Sequence, residues 1–241
     1  MNDQHPALLQ LFQRIDAAEQ RSQRTPDSVQ LIAVSKRKPI EDIVKAYEAG
    51  IRDFGENRAE ELAEKVQALQ HLTDIRWHFI GQLQSRQSQP VADHACCFHA
   101  VDRVKIAERL SKQLVEKNKQ LPVFIQVNIS GEESKTGFDC AQWEDNTAQQ
   151  QQALLAAITH IMKLPALQVQ GIMMMAPFDI PKEQIRDLFK RTYQLSQWLQ
   201  QQYPDEKIDQ ISMGMSGDFE IAIEEGATHI RVGSAIFGAR Q

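Results

Sequence analysis

Two periods of apolar residues alternate along the chain. Short runs rich in β-branched and aromatic residues are each followed by a segment whose apolar residues recur three and four apart. The short runs predict strands at 29–36 (VQLIAVSK), 51–57 (IRDFGEN), 76–83 (RWHFIGQL), 95–102 (ACCFHAVD), 121–130 (LPVFIQVNIS), 167–177 (LQVQGIMMMAP), 208–215 (IDQISMGM) and 228–238 (THIRVGSAIFG).

The intervening segments predict helices. Ile40, Ile43, Val44 and Tyr47 form one apolar stripe, Leu62, Ala63, Val66 and Leu69 another, and Ile185, Leu188, Phe189, Thr192 and Leu195 a third, each suited to cover a sheet. Pro39 stands where the first turn of a helix tolerates proline, Glu41 and Asp42 sit near the positive end of its dipole, and Gly50 is placed to end it. The glutamine-rich segment 146–164 keeps apolar residues at helical spacing and predicts a helix before the sixth strand. The opening MNDQHPALLQLFQRI reads as an amphipathic helix.

Eight such alternations in 241 residues, with no Pro/Gly/Ser-rich linker, predict an α/β architecture. The expected form is a single-domain (β/α)8 TIM barrel over 1–241, in which residues 1–28 supply an extra N-terminal helix and lead-in. An open doubly wound sheet is the rival, but no GxGxxG follows the first strand.

Composition narrows the partners. A formal charge of −5 argues against the basic face that nucleic acid requires. The three cysteines, Cys96, Cys97 and Cys140, are an odd number with an adjacent pair, which suits neither a disulfide framework nor a CxxC metal site and points to a reducing compartment. No run approaches the roughly 20 apolar residues of a membrane span. The N-terminus also lacks the apolar core and cleavage site of a secretory signal. The expectation is a soluble cytoplasmic protein with no membrane and no nucleic-acid partner. HExxH, paired CxxC, EF-hand and GxSxG patterns do not occur, and no metal site is expected.

In a barrel of this kind the chemistry collects at the C-terminal ends of the strands. Lys36 ends the first strand and shares a face with Ile32 and Val34, while Ser35 and Arg37 face the other way. A run such as KRK is ordinarily a solvated loop. A lysine held among apolar walls instead sheds its proton more readily, and the neutral amine attacks carbonyl carbon, which makes Lys36 a Schiff-base candidate. The seventh and eighth strands end in glycine and serine: Ser212 and Gly214 in SMGMSGDFE, with Ser216 or Gly217 opening a helix near Asp218, and Gly233 and Ser234 in RVGSAIFG. Backbone N–H groups after those two strands commonly hold a phosphate. Arg231 shares a face with Gly233 and would set a permanent cation near the ligand, and Asn57 offers an amide to the same rim. His78, between Trp77 and Phe79, is read as a packed, hydrogen-bonded residue. Lys135, among Glu132, Glu133 and Ser134, is read as a hydrated, protonated contact of the rim or a lid.

Seven ordered segments, AVSK, FGEN, WHFIGQLQS, VNISGEESKTG, GIMMMAPF, SMGMSGDFEIAI and RVGSAIFG, resemble the pyridoxal phosphate homeostasis protein family from about residue 29 to the end. The resemblance implies the barrel of fold-type III pyridoxal-phosphate (PLP) enzymes, with pyridoxal 5′-phosphate as cofactor. It places the cofactor aldehyde on Lys36 as a Schiff base, Asn57 close to the ring, Ser212, Gly233 and Ser234 on the phosphate, and Arg231 opposite the pyridine nitrogen. Met174 stands where the family pattern has threonine, and QSRQ at 84–87 replaces an Asn-Lys ending.

A guanidinium opposite the ring nitrogen disfavours pyridinium and leaves a weaker electron sink than a carboxylate would. Racemases and decarboxylases with a similar barrel add a β domain, whereas this sequence ends at Gln241, after the eighth strand, and Tyr47, Tyr193 and Tyr203 all precede that strand. The expected function is storage and delivery of PLP without strong turnover, by a monomer whose recipients are apo PLP-dependent enzymes. The alternatives are a racemase-like enzyme of low activity and a Schiff-base aldolase acting on a sugar phosphate.

Overall fold

The computed structural model describes residues 6–145 and 148–238. Outside them lie 1–5 of the N-terminal helix segment, 146–147 of the glutamine-rich segment and 239–241 at the end of the predicted domain. The strands are β1 (Gln30–Val34), β2 (Asp53–Glu56), β3 (Arg76–Phe79), β4 (Cys97–Val101), β5 (Leu121–Asn128), β6 (Phe138–Asp139), β7 (Leu167–Met173), β8 (Gln210–Ser212) and β9 (His229–Val232). All eight predicted strands are present, shortened mainly at the ends where the chain turns over the rim. Their order β4-β3-β2-β1-β9-β8-β7-β5, closed by pairing of β4 with β5, is a parallel eight-stranded barrel. The unpredicted β6 has a local cause. The pairing of β5 with β7 stops at Gln126, and β6 then covers the backbone of Val127 and Asn128.

The helices are α1 (Pro6–Arg21), α2 (Ile40–Glu48), α3 (Ala59–Ala68), α4 (Ser88–His94), α5 (Val104–Glu116), α6 (Ala148–Met162), α7 (Lys182–Gln202), α8 (Phe219–Glu224) and α9 (Ser234–Phe237). The predicted stripes face the barrel: Ile43 of α2, Leu62 of α3, and Leu188, Phe189, Thr192 and Leu195 of α7 are buried, while Ile40, Val44, Tyr47, Val66 and Ile185 are partly buried against the core. Pro39 lies one residue ahead of α2, and Gly50 ends that turn with φ +106°, a conformation side chains resist. The extra helix α1 buries Leu8, Leu11, Ile15 and Ala18 and packs beside α8 and α9. No helix among the described residues is long and apolar enough to cross a membrane.

Side chains alternate along the strands, with register shifts where β5 pairs with β4 and β7. Ala33, Phe54, Trp77, Phe98, Ile230 and Val232 turn outward under the helices and are buried there. Inward from these strands and from β8 point His78, His99, Ser212, His229 and Arg231, each under a tenth exposed. Barrels of this class usually fill the interior with branched aliphatic side chains. Here buried polar side chains occupy part of the interior and bond one another, beside Ile32 and Phe124.

Candidate functional site

Parallel register decides which strand ends meet. Ile32 of β1 pairs with Arg231 of β9, Val34 pairs with Gly55 of β2, and His229 pairs with Ser212 of β8. The four consecutive strands β8, β9, β1 and β2 therefore carry all six predicted residues to one arc of the mouth. Two residues beyond the Val34–Gly55 pair stand Lys36 and Asn57. Two beyond Arg231, Gly233 lies beside Val34, where an added Cβ would come within 3.2 Å of the Val34 carbonyl oxygen.

The three cations of the KRK run diverge. Lys36 is half-buried in a turn closed by the Lys38 N–H on the Ser35 carbonyl at 3.0 Å, and it follows the inward face of Gln30, Ile32 and Val34. Arg37 takes a left-handed φ of +60°, is exposed, and donates its backbone N–H to Glu61. The Lys38 Nζ donates to the Phe237 carbonyl at 2.8 Å, tying the turn to α9. Behind the turn, on the outer face of the barrel, lies a cluster that the sequence reading missed. Buried Lys65 of α3 donates to the Ser35 carbonyl at 2.7 Å, to Glu56 Oε1 at 2.8 Å and to Glu61 Oε1 at 2.7 Å. The residue preceding Lys36 is thus anchored to the helix layer.

Asn57 is half-buried at the end of β2 and lines a cleft of about 410 Å³ with Phe79, Gln82, Gln84 and Gln87. Gly81 permits this, since a Cβ there would lie 2.3 Å from the Asn57 carbonyl oxygen. A cleft of about 630 Å³ lined by Arg37, Ile40, Glu64 and Lys65 lies on the outer wall, beside α2 and α3. It is not where the strand ends converge.

Arg231 is 4% exposed, and burial pushes its guanidinium down to about 10, partly offset by Asp218, so it stays cationic at neutral pH. Its Nη1 donates to Ser212 Oγ at 2.6 Å and its Nη2 to the Met174 carbonyl at 2.9 Å. Position 174 thus acts here through its backbone, and the methionine leaves that bond intact. Ser212 Oγ is held on its other side by His99 Nδ1 at 2.9 Å, a partner the sequence reading did not foresee. The Gly233 N–H donates to Ser216 Oγ at 3.1 Å, joining the loops after β8 and β9, and Ser234 opens α9 directly behind. Gly214 at φ +94° makes the first loop possible, because a Cβ would strike Ala222 at 2.6 Å.

Lys135 is less hydrated than expected. Its side chain is only 15% exposed, lies 4.0 Å from Glu132, and reaches over the Phe178 ring at 5.1 Å toward the Ala176 carbonyl. The apolar ring and the carbonyl draw the ammonium in from solvent, so it is tucked against the β7–α7 loop.

His78 is packed and hydrogen-bonded, as read: its Nδ1 meets His99 Nε2 and its Nε2 meets Asp53 Oδ1, both at 2.9 Å. His99 stacks on Phe124 at 4.6 Å, and burial holds its imidazole well below the usual range, with His78, His229 and Arg231 adding to the effect. Ligand atoms of His78, Cys97 and His99 lie within 4.8 Å of one another. The two imidazoles are already hydrogen-bonded together, and burial keeps the Cys97 thiol protonated, so the geometry is that of a hydrogen-bonded pair rather than a cation cage. Asp53, His78 and His99 left one trace in the sequence: each is a polar residue beside an apolar one within a strand.

The fold and these strand ends have close counterparts. A family profile described as "Alanine racemase, N-terminal domain" matches residues 8–241. The pyridoxal phosphate homeostasis protein of Vibrio alginolyticus is 46% identical over 225 residues, covering 92% of this chain and 91% of that protein. Its counterpart in Escherichia coli (strain K12) is 40% identical over 245 residues, covering 100% and 98%. The solved structure of PipY from Synechococcus elongatus PCC7942 with PLP bound superposes with a TM-score of 0.80 at 37% identity, covering 94% of this chain and 99% of that one. Alanine racemase from Clostridium difficile 630 shares the fold alone, with a TM-score of 0.67 at 12% identity, and this barrel matches 59% of its length. Full-length identity at this level, carried on a barrel with Lys36 and Arg231 on adjoining strands, shows that the chain belongs to the pyridoxal phosphate homeostasis protein family.

Proposed function

We propose that the chain binds pyridoxal 5′-phosphate across the ends of β8, β9, β1 and β2, holds it as a Schiff base on Lys36, and serves to store and deliver it in the cytoplasm without strong catalytic turnover. The observation that carries this reading is the convergence of three kinds of donor on one arc of the barrel. An amine at Lys36 suits an aldehyde, a buried guanidinium at Arg231 suits a ring nitrogen, and the Gly233–Ser234 turn suits a phosphate. The donor set therefore fits the group.

When bound, PLP supplies an electrophilic aldehyde conjugated to an electron-withdrawing ring. Lys36 would be the residue that takes the aldehyde, and Asn57 would lie alongside by register. Gly233 and Ser234 would hold the phosphate, with Ser212 beside Arg231. Arg231 donates hydrogen bonds and stays cationic, so beside the ring nitrogen it would favour the unprotonated form and a weak electron sink. That restrains carbanion chemistry and suits a carrier, whose recipients would be apo PLP-dependent enzymes.

The test uses the full chain. Addition of PLP should produce an absorbance band near the visible edge, and borohydride reduction followed by digestion and mass analysis should place the tag on the Lys36 peptide. Lys36→Ala should lose both. No tag, or a tag elsewhere, overturns the assignment, and loss of the α-deuteron from labelled alanine at enzyme-like rates would favour a racemase.

A further inference from the structure

From Arg231 a single line of hydrogen bonds crosses the barrel interior. It runs from Nη1 to Ser212 Oγ (2.6 Å), from Oγ to His99 Nδ1 (2.9 Å), from His99 Nε2 to His78 Nδ1 (2.9 Å) and from His78 Nε2 to Asp53 Oδ1 (2.9 Å). Asp53 is fastened at the far end by Arg76, whose Nε donates to Oδ1 at 2.7 Å, and by the Gln30 amide at 2.9 Å. Every member from Arg231 to Asp53 is under a tenth exposed.

The chemistry of the two ends sets the direction of every bond between them. A guanidinium only donates, so Ser212 Oγ accepts from Arg231. The serine hydrogen then needs an acceptor, and among the described residues the remaining partner of Oγ is His99 Nδ1. Accepting there makes His99 the Nε2–H tautomer, which donates to His78 Nδ1. His78 is then Nε2–H as well and donates to Asp53, an ionised carboxylate that only accepts. A fixed cation and a fixed anion thus polarise the two imidazoles in one sense, and the Phe124 ring stacked on His99 holds its plane.

We propose that Asp53, His78 and His99 are positioning residues that act through Ser212 to lock the Arg231 guanidinium in the orientation it presents to the cofactor ring. This deepens the binding assignment above and rests on it. Reversing the line would turn His99 Nδ1–H toward Ser212, leave the serine hydrogen without an acceptor and loosen Arg231.

The direction is testable without cofactor. In the full chain carrying 15N-labelled histidine, long-range 1H–15N correlation at neutral pH should show His78 and His99 as Nε2–H tautomers, and an Nδ1–H on His99 overturns the proposal. The positioning role is tested with PLP in two variants. Asp53→Asn lets an amide donate to His78 and reverse the line, while His99→Phe interrupts it but keeps a ring against Phe124. Each should keep the borohydride tag on Lys36, shift the absorption maximum of the bound cofactor, and weaken binding about ten-fold, the scale of a lost orienting partner. Asp53→Asn changes few atoms, so it reads the effect even should His99→Phe fail to fold. Wild-type spectrum and affinity in a folded variant, with only the melting temperature lowered, would reduce the line to a structural role and overturn the proposal. Absence of the tag in the wild-type chain would count against the cofactor assignment instead, and leaves the tautomer result standing by itself.

Discussion

β2 carries two buried carboxylates three residues apart, and the fold shifts their pKa values in opposite directions. Asp53 turns into the barrel. Burial raises its pKa, but hydrogen bonds from His78 and Arg76 outweigh that and hold the carboxyl well below the usual range. Glu56 turns outward beneath α3, where burial dominates and raises its pKa, with Lys65 and Ser35 only partly opposing. The difference lies in how donors are distributed. Both Asp53 oxygens have partners, whereas Ser35 and Lys65 both bind Oε1 of Glu56 and its Oε2 is buried without one. A carboxylate inside a protein is stabilised by the donors that reach each of its oxygens, and a single nearby cation does not suffice.

The largest effect should come from breaking the outer pair. Lys65→Met strands Glu56 as a buried charge and should cost about 3–5 kcal/mol in urea unfolding. Adding Glu56→Gln should regain more than half, because a neutral amide needs no counter-charge. An unchanged midpoint for Lys65→Met would mean that Glu56 is protonated in the native state.

On the inner face, Asp53→Asn should cost about 1–3 kcal/mol at neutral pH through unsatisfied partners. Its pH dependence sharpens the contrast. A lowered folded pKa makes the Asp53 contribution present above the unfolded value of about 3.9 and lost as pH falls below it. Asp53→Asn should therefore flatten the acid limb of a plot of urea midpoint against pH. Glu56 has the opposite sign: its contribution is present below about 4.3 and lost as pH rises through its raised folded pKa. Glu56→Gln should accordingly gain on the wild type toward neutral pH, and parallel curves for the two variants would refute the comparison.

The smallest effect belongs to the surface. Arg14 and Glu220 pair at 2.9 Å with both side chains more than a third exposed. Arg14→Ala should cost under about 1 kcal/mol, and the difference should vanish near about 1 M salt.

Much of this molecule was legible in its residues. The period of apolar positions located eight strands, and parity along β1 separated Lys36 from Ser35 and Arg37 before any contact was known. The Gly/Ser endings of the last two strands marked the loops that Ser216 and Gly233 join. Other features had no local signal. β6 exists because β5 outruns β7, and Lys135 is withdrawn by Phe178, which lies 43 residues further along the chain. Ser212 spends its hydroxyl on a histidine 113 residues away in sequence. Such pairings depend on barrel closure, which no window of sequence contains.

RWHF, CFHAV and HIRV show the same division most clearly. Alternation along these strands determined that polar and apolar side chains would occupy opposite faces, since successive residues of a strand point opposite ways. Which face would be buried against helices, and which would meet itself across a closed ring, was decided only when the sheet curled. Helices claim the apolar side, and the enclosed polar side chains, cut off from water, are left to bond one another.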